Sequence, residues 1–84
     1  MRLDKYLKVS RIFKRRTIAK QIASSGKINV NGRTAKPSQT LEVGDVIDID
    51  YADKSFKVKV KELRKHASKD NAANMYEVLS EEVG

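Results

Sequence analysis

The sequence predicts an α+β fold: two short N-terminal helices packed on a small, mostly antiparallel sheet, ending in a short C-terminal helix or strand. Three observations carry this. Apolar residues recur at helical spacing through the first 24 positions. Asn31-Gly32, the strongest short hairpin signal, follows them, and two runs with period-two alternation come later. The length of 84 residues suits one domain. A chain this short buries only about 60% of the surface its unfolded form exposes, so the core is thin.

The first helix fits residues 2–9, where Leu3, Tyr6 and Leu7 fall at i, i+3 and i+4. Arg2, Lys5 and Lys8 lie off that stripe. Ser10-Arg11 follows, and Ile12-Phe13 is an apolar plug between two helical patterns. A second helix fits residues 14–24, with Ile18 and Ile22 inward beside Ala19 and Ala23. Arg16 and Lys20, also four apart, point to solvent on another face. Gly26 suits the left-handed position that closes a helix.

Lys27-Ile28-Asn29-Val30 alternates, Asn31-Gly32 turns, and Arg33-Thr34-Ala35 returns as a partner strand. Pro37 cannot continue a central ladder, so the strand ends there. Glu42-Val43-Gly44-Asp45 reads as a turn. Val46 to Tyr51 is a strand with Asp48 and Asp50 on its wet face. Ala52-Asp53-Lys54-Ser55 turns again. Phe56 to Lys61 alternates three apolar residues with Lys57, Lys59 and Lys61. Further on, Ser68 suits a helix cap with Asp70 in the first turn. Met75 to Leu79 fits either an extension of that helix or, preferably, a last strand.

Charge is segregated along the chain. Residues 1–36 carry eleven basic side chains and one acid, Asp4, a net +10; residues 37–84 carry seven and ten, a net −3. Such a cationic segment points to a polyanionic partner. The chain has no cysteine, which excludes disulfides and thiolate metal sites. No apolar run approaches the roughly 20 residues of a membrane span. The N-terminus does not read as a signal peptide, so the cytoplasm is the expected compartment. No nucleophile–base pair, metal-ligand cluster or phosphate-cradling glycine loop is present, which argues against an enzyme.

The expected binding residues are Arg2, Lys5, Lys8, Arg11, Lys14, Arg15, Arg16 and Lys20. Arginine offers a planar donor fork and lysine a mobile charge, and both suit phosphate oxygens. Asp4 is expected to orient an arginine, Arg11 or Arg15, through an ion pair rather than act as a reagent. Arg16, Lys20 and Arg2 then remain free for contact. His66 reads as a solvated surface histidine. Asp45, Asp48, Asp50 and Asp53 lack the spacing of a calcium loop. Lys57, Lys59 and Lys61 suit either protection of an edge strand or an added contact. Tyr6 sits on the core stripe rather than on a base-stacking face. Charge alone also permits a DNA-binding helix.

A resemblance separates these readings. Arg2-Leu3-Asp4, Ser10-Arg11, Arg15-Arg16, Gly26, Val30-Asn31-Gly32, Lys36-Pro37-Ser38 and Gly44-Asp45 occur in this order. Together they resemble the S4 RNA-binding domain across residues 1 to about 50. The resemblance implies the S4-type (αL) fold and RNA rather than DNA as the partner. The expected division is an S4 domain over residues 1–63 and a short C-terminal extension over residues 64–84, packed on or beside it. The tail, Arg64 to Glu82, is similar to that of stand-alone S4 proteins, the RqcP group and the small bacterial heat-shock S4 proteins. The absence of a long basic extension favours the RqcP group. The implied role is non-enzymatic and cofactor-free: a ribosome-associated monomer in quality control. It would bind large-subunit rRNA and the tRNA on stalled subunits, beside the tRNA-recruiting factor RqcH, without a membrane partner. The alternatives are a general RNA-binding role in ribosome assembly and an accessory role in RNA modification.

Overall fold

A computed structural model of the chain describes residues 1–83. Leu3–Val9 forms α1 and Arg16–Ser24 forms α2. The strands are β1 (Ile28–Val30), β2 (Arg33–Thr34), β3 (Val46–Tyr51), β4 (Lys54–Val60) and β5 (Tyr76–Val83), with α3 (Lys69–Ala73) before the last. The strands make one antiparallel sheet in the order β2-β1-β3-β4-β5.

Isolated helices shorter than about 12–15 residues are marginal in water, so α1 and α2 depend on what they pack against. Leu3, Tyr6 and Leu7 of α1 are fully buried, and Ala19 and Ala23 of α2 join them. Ile18 and Ile22 are half-buried at the margin of this core. The sheet supplies the other wall. Its register aligns Val30 with Ile47 and Ile47 with Val58, and Ile28 with Ile49 and Ile49 with Phe56. Two apolar rows thus cross three strands on one face.

The ends of α1 are made by unusual means. Arg2, at the N-cap, gives no side-chain cap. Instead the Leu3 N–H donates to the Gln39 carbonyl (2.8 Å) and the Asp4 N–H to the Pro37 carbonyl (3.1 Å). The Pro37-Ser38-Gln39 segment therefore satisfies helix donors that would otherwise lack partners. At the other end Arg11 takes φ +63°, a left-handed conformation that costs an L-residue about 1–2 kcal/mol.

The second helix begins two residues later than the sequence pattern predicts. The Phe13 N–H donates back to the Leu7 carbonyl (3.0 Å), and Phe13 is buried with its ring edge-to-face on Tyr51 at 5.3 Å. Burying that ring uses residues 10–14 as a turn, and Arg15 is extended (φ −127°, ψ 135°). At its far end α2 closes as expected. Gly26 has φ +77°, its N–H donates to Ala23, and the Lys27 N–H donates to Ile22.

Asn31 and Gly32 have φ of +52° and +82° and join β1 to β2 as a two-residue turn. The Asn31 side chain also clips this hairpin to the next turn. Its Nδ2 donates to Asp45 Oδ1 (3.0 Å), and its Oδ1 accepts the Val46 N–H (2.9 Å).

Both structures anticipated for the C-terminal segment occur, one after the other. Ser68 Oγ accepts the Asn71 N–H and caps α3, with Asp70 in its first turn. The chain then pairs along β4 as β5. This pairing corrects one expectation. The strand bearing Lys57, Lys59 and Lys61 lies between β3 and β5 and needs no guard against edge pairing. Lys57 lies 3.8 Å from Asp48 and Lys61 lies 3.7 Å from Glu77.

Candidate RNA-binding surface

The N-terminal ends of α1 and α2 meet around one carboxylate. Asp4 is 1% exposed, although charged side chains are seldom buried without partners. Its partners are Arg2, which donates from Nε and Nη2 (3.2 Å each), Arg16 Nη2 (3.2 Å), and the Lys5 N–H (2.8 Å). Burial would raise the Asp4 carboxyl pKa. The donors from Arg2, Arg16 and Lys5 outweigh burial and hold it below its ordinary value.

This geometry corrects two expectations. Asp4 pairs with Arg2 and Arg16, not with Arg11 or Arg15. Arg16 and Arg2 are therefore not free cations. The pairing joins residues twelve apart in sequence, and helix packing brings them together. Each guanidinium nonetheless stays about half exposed, with side chains 50% and 48% accessible. A guanidinium has five N–H donors, so both keep donors facing solvent. The arrangement is two forks held by one buried anion and aimed outward.

The other expected residues fall around this centre. Lys20 lies one turn along α2 from Arg16 and is exposed, as is Arg15 at the start of that helix. Lys5 is half-buried on α1. Lys8, Arg11 and Lys14 are exposed and line a groove at the junction of the two helices. Among the described residues none of these six side chains is in an ion pair.

The opposite wall of that groove was not anticipated. It is Lys65, His66 and Lys69, from the segment leading into α3. In sequence these residues look like any solvated, charged stretch, because no periodicity links them to α1.

Tyr6 ties α1 to the same segment. Its hydroxyl donates to the Met75 carbonyl (2.7 Å). Burial, then the nearby Tyr76, pushes its ionisation far upward, so it stays a donor. Among the described residues no cluster of His, Asp and Glu is suited to a metal ion, and no helix is long and apolar enough to cross a membrane.

A small α+β body that presents anchored arginines beside unpaired lysines offers a surface whose chemistry suits nucleic-acid backbone. Residues 1–47 match the family model described as S4 domain, and the chain belongs to that family. It is similar over nearly its whole length to a protein of Streptococcus pneumoniae named RQC P-site tRNA stabilizing factor. The identity is 54% over 81 residues, covering 96% of this chain and 92% of the relative. A Bacillus subtilis protein of the same name is 49% identical over 98% of this chain and 95% of its own length. Among solved structures, the trimeric heat shock protein 15 of Vibrio cholerae superimposes with a TM-score of 0.87 at 27% identity. That likeness covers 95% of this chain and 82% of the other.

Proposed function

We propose that this protein is a non-enzymatic RNA-binding factor that stabilises tRNA at the P site during ribosome-associated quality control. The observation that carries the reading is the pair of half-exposed arginines on buried Asp4. Two further findings support it: the uncompensated cations around that pair, and the near-full-length similarity to factors named for this role.

The chemistry is recognition of backbone and shape. A-form RNA hides its base edges in a deep, narrow groove and displays phosphates and 2′-hydroxyls. Arginine forks suit two phosphate oxygens at once. Immobilising a long side chain on binding costs about 0.5–1.5 kcal/mol. Asp4 meets part of that cost during folding for both Arg2 and Arg16. Lys5, Lys8, Arg11, Lys14, Arg15 and Lys20 add a diffuse field that accelerates encounter and tolerates mobile RNA.

In this reading the protein is cytoplasmic and acts as a monomer on the large ribosomal subunit that still holds peptidyl-tRNA. It touches rRNA and tRNA together and assists RqcH-dependent extension of the stalled chain. Co-sedimentation with purified large subunits tests it. Wild-type protein should pellet with subunits carrying P-site tRNA, and Arg16→Ala with Lys20→Ala should stay in the supernatant. Pelleting of that variant at the wild-type level would remove the proposed surface.

A further inference from the structure

A groove of about 540 Å³ runs between the α1–α2 junction and the segment that leads into α3. Its titratable lining is Lys8, Arg11 and Lys14 on one wall and Lys65, His66 and Lys69 on the other, with no acid among them. Among the described residues none of the six is in an ion pair. Other cations of the same half of the chain differ. Arg64 donates to Glu62 at 2.7 Å, and Lys61 lies 3.7 Å from Glu77. Like charges gathered in one concavity repel each other and focus a positive potential into it. Folding gains nothing from that arrangement, whereas an anion in the groove does.

We infer that this groove binds the RNA phosphodiester backbone, which makes residues 65–69 a second arm of the RNA grip. The inference rests on the RNA-binding reading above and extends it beyond residues 1–47, where the family match ends. Three features select a polymer over a small anion. The cations stand on two walls, more of them than one phosphate can engage. The volume lies within the range of about 300–1,000 Å³ that suits ligands far larger than one phosphate group. Lys14 leads directly into Arg15 and Arg16, so a strand lying in the groove continues to the arginines on Asp4. Arg11 belongs to the same design. Its left-handed backbone, φ +63°, ends α1 and places its side chain on the groove wall.

The test is Lys65→Ala with Lys69→Ala in the full chain. Both side chains are exposed and unpaired, and a thermal melt verifies that the variant folds. Binding to a tRNA transcript and to large-subunit rRNA is measured across a salt series. A charge-matched control carries Lys54→Ala with Lys59→Ala on the sheet. The groove variant should bind several-fold more weakly, and its log K against log salt slope should flatten by about 1.4, at roughly 0.7 per lost phosphate contact. The control should change less in both respects. If the groove variant matches the control, the inference is wrong. If Arg16→Ala with Lys20→Ala still loses binding in that case, the RNA reading survives without the second arm. Failure of wild-type protein to bind either RNA would remove both. Loss of poly-glutamate binding with RNA binding intact would make the groove a site for acidic protein and overturn the inference.

Discussion

The helical region and the sheet treat their charges differently. Residues 1–36 hold eleven cations and one acid, and among the described residues only Arg2 and Arg16 are paired there, both with that acid. Across β3, β4, β5 and residues 61–64, three cations stand beside acids: Lys57 with Asp48, Lys61 with Glu77, Arg64 with Glu62. The sheet pairs are exposed, and pairs of that kind contribute about 0–1 kcal/mol each. They keep a wet face soluble and balanced. The single pairing centre of the helical region is buried on its acidic side and open on its basic side. The same two residue types thus mean two things: pairs that balance a wet surface in one region and an unmet demand for anions in the other.

The strongest way to break this contrast is Asp4→Asn. The variant gains a positive charge overall, yet it should bind RNA more weakly, because the two forks lose their anchor. It should also lose about 2 kcal/mol of stability, since hydrogen bonds to charged groups contribute about 1.5–3 kcal/mol each. Urea unfolding and RNA titration read both effects. The pH dependence follows from the lowered carboxyl. A carboxyl depressed in the folded state stabilises fully above its unfolded value, 3.8, and that contribution disappears as pH falls through the folded value. Wild type should therefore lose its advantage over Asp4→Asn below about pH 4, as followed by thermal melts between pH 2 and pH 7.

Arg11→Gly should separate folding from binding. Glycine adopts the left-handed conformation at Arg11 without steric penalty, so about 1 kcal/mol of strain is relieved. Greater unfolded-state freedom offsets part of this gain. The melting temperature should hold or rise while RNA affinity falls. A variant that loses both would show Arg11 to be structural.

Tyr6→Phe should cost about 1 kcal/mol, the net contribution of an ordinary hydrogen bond. The cost stays small because the Met75 carbonyl still accepts the Lys61 and Glu62 N–H groups at 2.8 and 3.1 Å. Hydrogen exchange should rise across α3 and β5 more than across β1. Lys57→Ala should be the weakest, at no more than about 0.5 kcal/mol for an exposed pair, with little change in RNA affinity. A large loss of affinity there would extend the binding surface onto the sheet.

Much of the fold is legible in the sequence because local rules agree with the tertiary outcome. Leu3, Tyr6 and Leu7 announce α1, Asn31-Gly32 announces the hairpin, and Ser68 announces α3. What was not legible depends on contacts between distant segments. The delayed start of α2 follows from Phe13 reaching Tyr51. The interior position of β4 follows from β5 pairing onto it from about twenty residues downstream. For the site, charge density located the surface, but the pattern assigned Asp4 to Arg11 or Arg15, and its partners are Arg2, two residues away, and Arg16, twelve away. Only the crossing of α1 and α2 brings Arg16 to it. The second wall of the groove carries no local signal, since Lys65, His66 and Lys69 gain their setting from α1.

The stretch from Lys36 to Thr40 is the exposed connection that an engineer would first choose for an insertion, a protease site or a new chain terminus. Its Pro37 and Gln39 carbonyls close the first turn of α1, and the Leu41 N–H donates to the Met1 carbonyl at 2.9 Å. Opening the chain there would unfasten the turn that holds Asp4, and with it both arginines. The Ala52-Asp53 turn between β3 and β4 carries no such duty. For circular permutation or a reporter graft, the permissive break is the tight sheet turn, and the loose-looking loop is the seam that must stay closed.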